Sequence, residues 1–159
     1  MIILDEFQSK DQEELKAFVL HIQNNEFGLD FSETDQPDLL DTKSFYKNGG
    51  FWTAKLQDQL VGTIGLQKLD YSNAVLRKMF LKKEVRGSQL NIAQKLVDTL
   101  LDCAKKKDFK IIWLDTPAVA TASHRFYERN GFVETDQQNL PKGYQFIDKN
   151  SKIYKLILA

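Results

Sequence analysis

Cysteine is almost absent from this sequence. The one thiol, Cys103, excludes an internal disulfide and leaves no second cysteine for a metal site. Proline occurs only at 37, 117 and 141 and glycine only eight times, and no linker, internal repeat or low-complexity segment stands out. Neither charge sign is in excess: 22 basic residues balance 22 acidic ones, which removes any global electrostatic case for nucleic acid or membrane as a partner. No apolar run reaches the length of a membrane span. Asp5 and Glu6 arrive too early for a secretory leader. A soluble, cytoplasmic protein is therefore the expectation. Gly-x-x-x-x-Gly-Lys and Gly-x-Gly-x-x-Gly segments are also missing, which argues against the common nucleotide-phosphate folds.

What is present is globular composition. Over 159 residues, 42% are apolar and 28% charged, enough for one domain with a substantial core. The most organised stretch runs from residue 78 to residue 104. Lys78, Met79, Phe80 and Leu81 end a strand, and a basic turn follows over residues 82–91. Ala93, Leu96, Val97, Leu100, Leu101 and Ala104 then recur at three- and four-residue spacing, the apolar stripe of a helix, with Gln94, Lys95, Asp98 and Asp102 on the other side. Lys82, Lys83 and Arg86 thus stand where a helix starts, and the helix dipole with its free N–H groups makes that a place for a phosphate or pyrophosphate. An ordinary strand–turn–helix with solvated lysines would read the same way.

The rest of the chain fits around this unit. Residues 2–7 read as a first strand. Ser9 and Gln12 have capping-box spacing ahead of a helix whose stripe is Leu15, Phe18, Val19 and Ile22, ending at Asn24, Asn25 and Gly28. Residues 30–38 are acidic, with Asp30, Glu33, Asp35 and Asp38, and read either as a solvated loop or as a wall attracting a cationic substrate. A short helix over 39–46 and a break at Gly49-Gly50 precede three strands, 51–56, 60–69 and 74–81, joined by short turns into an antiparallel meander. Residues 110–115 hold the nearly continuous apolar run of a strand buried on both faces, which a right-handed crossover lays parallel to 74–81. A helix over 121–128 stopped at Asn130-Gly131, and closing strands over 132–135 and 151–158, complete an α+β domain.

Two segments, Met79-Phe80-Leu81…Arg86-Gly87…Ala93…Leu96 and Phe126-Tyr127-Glu128-Arg129-Asn130-Gly131-Phe132, together with this element order, resemble the GNAT superfamily of acyl-CoA-dependent N-acyltransferases. The second segment is similar to the family's Tyr-Glu-x-x-Gly-Phe. The resemblance implies one GNAT-like domain over 1–159: a mixed central sheet with an antiparallel meander, one parallel crossover and flanking helices. It implies an N-acetyltransferase that uses acetyl-CoA as co-substrate and an amine as acceptor, without nucleic acid, membrane or metal, and possible as a homodimer. The departures lie in the phosphate loop. Ser88 takes the place of the family's Gln or Arg, Asn91 of its first glycine and Ala93 of its second, while Arg86-Gly87 falls two residues upstream. Asparagine tolerates a left-handed backbone and can replace a glycine there. Thr121 stands for the family's asparagine and His124 for its alanine.

Carried over residue by residue, the resemblance gives Met79, Phe80 and Leu81 to the pantetheine arm. It gives Arg86, Gly87, Ser88, Gln89, Asn91, Ile92 and Ala93 to the pyrophosphate turn, with Thr121, His124 and Phe126 nearby. A main-chain N–H near Met79 would polarise the acetyl carbonyl. Tyr127 is the catalytic candidate, a phenol able to protonate the leaving thiolate. By its residue type alone it reads first as an aromatic filling the core beside Phe126, and it is the family register that favours the catalytic role. No general base stands out: Glu84 lies in the turn, Asp70 in the preceding hairpin and Asp115 near the end of the buried strand, where α/β ligands gather, although Asp115 also suits a cap of the loop after it. His124 could titrate or could be a boundary residue. The amine would attack directly, because no Cys–His pair can be placed and Cys103 lies on the helix away from the turn. The other reading is a CoA-binding regulatory module with little catalysis.

Overall fold

The computed structural model describes residues 1–87, 89–146 and 150–158. Its frame is a seven-stranded sheet in the order β1-β2-β3-β4-β5-β7-β6. The strands are β1 (Ile2–Glu6), β2 (Gly50–Leu56), β3 (Gln59–Lys68), β4 (Asn73–Leu81), β5 (Ile111–Pro117), β6 (Val133–Thr135) and β7 (Ser151–Ile157). Every neighbouring pair is antiparallel except β4 with β5, as the crossover through the long helix requires. The β2–β3 connection is a two-residue loop, Gln57 and Asp58, both at positive φ (50° and 64°), the backbone that tight hairpins use to match strand twist.

The helix α3 (Ile92–Lys106) buries Ile92, Leu96, Val97, Leu100 and Ala104 against one sheet face, with Trp52, Ala54, Ile64, Leu66, Leu76, Ile112 and Leu114. Lys105 and Lys106 occupy its last turn, where cations complement the dipole. A second apolar cluster, Phe7, Leu15, Val19, Leu39, Tyr46, Phe51 and Leu60, sits under α1 (Gln12–His21) and α2 (Thr42–Phe45). The last helix, α4 (Thr121–Arg129), stops at Gly131, whose φ of +91° lets the Phe132 N–H return to the Tyr127 carbonyl at 3.1 Å.

Two local expectations fail for identifiable reasons. No Ser9 capping box forms: residues 9–11 make a single 3₁₀ turn, and Gln12 works at long range. Its amide donates to the Leu39 carbonyl and the Thr42 hydroxyl and accepts from the Thr42 N–H, all at 2.9 Å, which fastens α1 to the segment before α2. Asn24 and Asn25 do not end α1 either. The coil widens to a π turn over Ile22–Glu26 before Gly28 (φ +64°) releases it.

The break at Gly49 has a steric cause. A Cβ there would lie 1.8 Å from the Leu66 carbonyl oxygen, which is fixed in β3. Gly49→Ala is therefore expected to cost about 3 kcal/mol or more of folding stability, the upper range for forced overpacking. Urea unfolding of the variant checks this, and a midpoint equal to wild type would mean that the β2–β3 edge yields.

Candidate active site

The parallel ladder between β4 and β5 is short. It pairs Asn73, Ala74 and Val75 with Ile111, Ile112 and Trp113 and then ends. β5 continues along β7 as far as Pro117–Ser151. β4 continues along β3, but with a bulge: Thr63 opposes Phe80 and Gly65 opposes Arg77, so Lys78 and Met79 together face Ile64. Lys78 has φ +53°, an uncommon backbone for a side chain of its size. Its carbonyl accepts from the Thr63 hydroxyl at 2.7 Å and its Nζ lies 3.2 Å from the Asp38 carboxylate, so both ends of the residue are held.

Beyond Val75 the two strands diverge into a cleft of about 1220 Å³. Met79, Phe80, Leu81, Arg86, Gly87, Asn91, Ala93, Thr121, Phe126 and Tyr127 all line it, so these candidates from the sequence are brought together. Asn91 has φ 55° and ψ 35°, the left-handed conformation expected of a residue in a glycine's place, and its side chain makes no capping bond to α3. The first-turn N–H groups of α3 are thus not taken by a side-chain cap. Gly87 has φ +118°.

Other candidates lie elsewhere. Ile92 is fully buried in the core, Gln89 is an exposed turn residue, and neither lines the cleft. His124 is on the buried side of α4, its Nε2 3.0 Å from the Pro117 carbonyl oxygen and its ring beside Tyr154, rather than in the cleft. Ser88 lies outside the described residues. Arg86 lines the cleft but already has partners: it donates to the Leu81 carbonyl at 2.9 Å and pairs with Glu26 of the π turn. Of the three carboxylates, Asp70 accepts from the N–H groups of Ser72 and Asn73 in the β3–β4 turn, and Glu84 sits exposed beside Lys82. Only Asp115 of the three lines the cleft. Instead of capping the following loop, it accepts from the Tyr144 hydroxyl at 2.5 Å and faces Arg77 at 3.6 Å.

Tyr127 is 6% exposed, with Phe126, Phe132 and Tyr154 around its ring. Its hydroxyl has no hydrogen-bond partner among the described residues. Burial raises its pKa above the ordinary phenol value, and the negative charge of Asp115 raises it further, so the group holds its proton.

Several cleft residues enter pairs that the sequence did not signal. Asp38 and Lys78, 5% and 12% exposed at the side chain, are paired, and Asp38 also accepts from the Tyr46 hydroxyl at 2.6 Å. Burial lowers the Lys78 pKa, a tendency that Asp38 opposes. Arg77 donates to Gln67 at 2.6 Å and to the Gln145 carbonyl at 2.7 Å, with the Tyr144 ring 5.2 Å away. A polar chain, Tyr46–Asp38–Lys78 and Arg77–Asp115–Tyr144, thus crosses the cleft beside the bulge. These partners are 29 to 40 residues or more apart in several cases, and no local spacing announces them. At the α3 end, Gln94 donates to Asn130 at 2.8 Å, next to the exposed Arg129.

Among the described residues no helix is long and apolar enough to cross a membrane, and no cluster of metal-ligating side chains occurs. Comparison with known proteins agrees with the geometry. The sequence model of the Acetyltransferase (GNAT) family matches residues 16–132. N-acetylaspartate synthetase of Danio rerio is 35% identical over 111 residues, 65% of this chain and 39% of that protein. The chain spans less than half the length of the curated relatives it matches. The crystal structure of a GNAT-family acetyltransferase of Staphylococcus aureus Mu50 superposes with TM-score 0.95 at 35% identity and full coverage of both chains. The PaiA N-acetyltransferase of Thermoplasma acidophilum, solved in complex with coenzyme A, has the same fold at TM-score 0.73 and 19% identity, over 99% of each chain. With the family's pattern running from α1 to the cap of α4 and the opened β4–β5 edge at its centre, the chain belongs to the GNAT acetyltransferase family.

Proposed function

We propose that this chain transfers an acetyl group from acetyl-CoA directly to an amine. The observation that carries the reading is the edge of β4 left without a parallel partner beyond Val75. The pantetheine arm is an extended chain with amides, and it would pair with main-chain groups of Met79 and Leu81 as an added strand does. The pyrophosphate would meet the start of α3, where N–H groups and the dipole favour an anion and Asn91 and Gly87 turn the backbone. The amine nitrogen then attacks the thioester carbon. A main-chain N–H near Met79 stabilises the oxyanion, and the C–S bond breaks. Tyr127 gives its proton to the departing sulfur, the amine's proton leaves through cleft water, and the phenol is reprotonated from solvent. Cys103 does not compete as a nucleophile: it lies on α3 outside the cleft, and burial raises its thiol pKa.

Thiol release with acetyl-CoA and a panel of amines tests the whole. Binding without release on any acceptor would favour the regulatory-module reading, for which the engaged state of Arg86 is the supporting observation. That state has its own consequence. The Arg86–Glu26 pair is partly solvated, with side chains 40% and 22% exposed, so exchanging Glu26 for phosphate costs little. Arg86→Ala is expected to weaken CoA about tenfold or more relative to acetyl-pantetheine, as loss of a charge-assisted bond to phosphate does. Glu26→Gln should tighten CoA by freeing the guanidinium. Equal weakening of both ligands by Arg86→Ala, measured calorimetrically, would take Arg86 away from the phosphates.

Tyr127→Phe keeps the ring and its packing and removes the proton donor. Acetyl-CoA affinity and thermal midpoint should stay near wild type while turnover falls about 10²–10⁴-fold, the usual worth of a positioned acid. Lost stability with turnover per folded molecule unchanged would return the phenol to a purely structural role.

The pH profile follows from the direction of the Tyr127 shift. A raised pKa leaves the phenol protonated below its folded value and lost as an acid only above it. Turnover should therefore climb as the amine deprotonates and then level off, with no descending limb below pH about 10, the ordinary tyrosine value. A fall beginning near neutrality would assign the acid to another group.

A further inference from the structure

The acceptor end of the cleft, on the side of the bulge away from α3, is lined by Ile22, Phe27, Leu29, Phe31, Phe45 and Phe146. These are aromatic and aliphatic side chains from the π turn, the loop after it, α2 and the segment before β7. All except the buried Ile22 are partly exposed, as cavity walls are. The buried charges there are already matched, and Asp35 alone of the lining carboxylates at this end has no cationic partner. Asp38 lies against Lys78 and Tyr46, and Asp115 lies against Arg77 and Tyr144. Asp35 accepts from the Ser32 N–H and hydroxyl, Glu33 pairs with Lys16 at 3.0 Å, and Asp30 is exposed outside the cleft. Gln23 and Gln36 bond to each other reciprocally at 2.8 Å. The acidic stretch is thus tied down at Glu33 and Asp38, and of its four carboxylates only Asp35 brings charge without a cation to the cleft lining. Arg129, the remaining cation on the lining, belongs to the opposite end, beside Asn130 and the first turn of α3.

We infer that the acceptor is an amine carried on an apolar, preferably aromatic body, with no second charged group. This rests on the acetyl-transfer reading. A second ammonium would find the buried Asp38 and Asp115 occupied and only the exposed Asp35 open to it, where a solvated pair is worth little, and a carboxylate would have to displace Asp38 from Lys78 or Asp115 from Arg77. Unpaired charge in a largely apolar chamber is strongly disfavoured, whereas a phenyl ring fills it and displaces water. The amine itself must be neutral to attack, so an acceptor whose only charge is that amine brings none into the chamber when it reacts.

The test compares kcat/KM by thiol release at saturating acetyl-CoA for 2-phenylethylamine, spermidine and L-aspartate. The arylalkylamine is expected to exceed both others about tenfold or more, the scale at which pocket chemistry discriminates. Spermidine or L-aspartate equal to it or better would overturn the inference while leaving acetyl transfer intact. Acetyl-CoA binding with no release on any of the three would instead overturn the acetyl-transfer reading and this inference with it. Leu29→Asp places a free carboxylate on the wall and should raise the ratio of spermidine to 2-phenylethylamine turnover about tenfold. An unchanged ratio would show that the wall does not meet the acceptor. A readout independent of turnover is the thermal midpoint in the presence of CoA. N-acetyl-2-phenylethylamine should raise it and N-acetylaspartate should not, and the reverse order would overturn the assignment.

Discussion

Everything at the site depends on how soon two parallel strands stop pairing. β4 and β5 share three residue pairs and then part. Main-chain N–H and C=O groups are obligatory hydrogen-bonding groups, so an edge opened inside a sheet must find other partners. Elsewhere the sheet finds them in β3 on one side and β7 on the other, both of which stay paired through the region where β4 and β5 separate. The opened edge is a gap inside the sheet, away from its outer edges at β1 and β6, where an extended amide chain from outside can complete the ladder. A sheet paired to the end would have a more stable core here and no cleft.

The bulge at Lys78 is the device that holds β4 away. A left-handed non-glycine residue costs about 1–3 kcal/mol and persists only where its surroundings over-determine it. Here Thr63 holds the Lys78 carbonyl, and Asp38, itself tied to Tyr46, holds the ammonium. The Asp38–Lys78 pair is therefore better understood as geometry than as stability, since the desolvation of a buried pair roughly offsets its attraction. It joins β4, the strand proposed to receive the donor, to the segment before α2 on the other side of the cleft. The Arg86–Glu26 pair makes a second bridge of this kind, from the basic turn to the π turn behind the acceptor wall.

The framework was legible because its signals are periodic and local. The stripe of α3, the apolar run of β5, the short meander turns and the Asn130-Gly131 stop each sit within a few residues of what they specify. So did the need for a left-handed residue at Asn91, because a backbone conformation is a property of one position. What could not be read is pairing at a distance. Lys78 looked like one more strand residue, and nothing near it in sequence names Asp38 or Thr63 as partners. Gln12 had the spacing of a cap yet serves Leu39 and Thr42. His124 and Ile92 stood at the right positions in the chain, but which way a side chain faces is decided by what packs on it, Pro117 and Tyr154 for one and the α3 core for the other. Residues 30–38 read as charge because their partners, Lys16 and Lys78, belong to other elements.

A chain with no net charge can still contain a polarised cleft. At the α3 end, Arg129 is exposed, Arg86 is held by a solvated carboxylate, and the first turn of the helix lacks a side-chain cap. At the other end Lys78 has Asp38 and Arg77 has Asp115, each of these two carboxylates has a phenol, and both pairs lie largely out of water, while Asp35 is exposed and bonded to Ser32. A solvated pair exchanges partners at little cost, whereas a buried pair does not, because the group left behind cannot recover its hydration. An anion is thus welcomed at one end, and charge of either sign is resisted at the other. The neutral thioester carbon would lie between them at the bulge, beside a phenol that its raised pKa keeps protonated. On the proposed reading, polarity along the cleft, rather than net charge, would set the direction in which the two substrates approach.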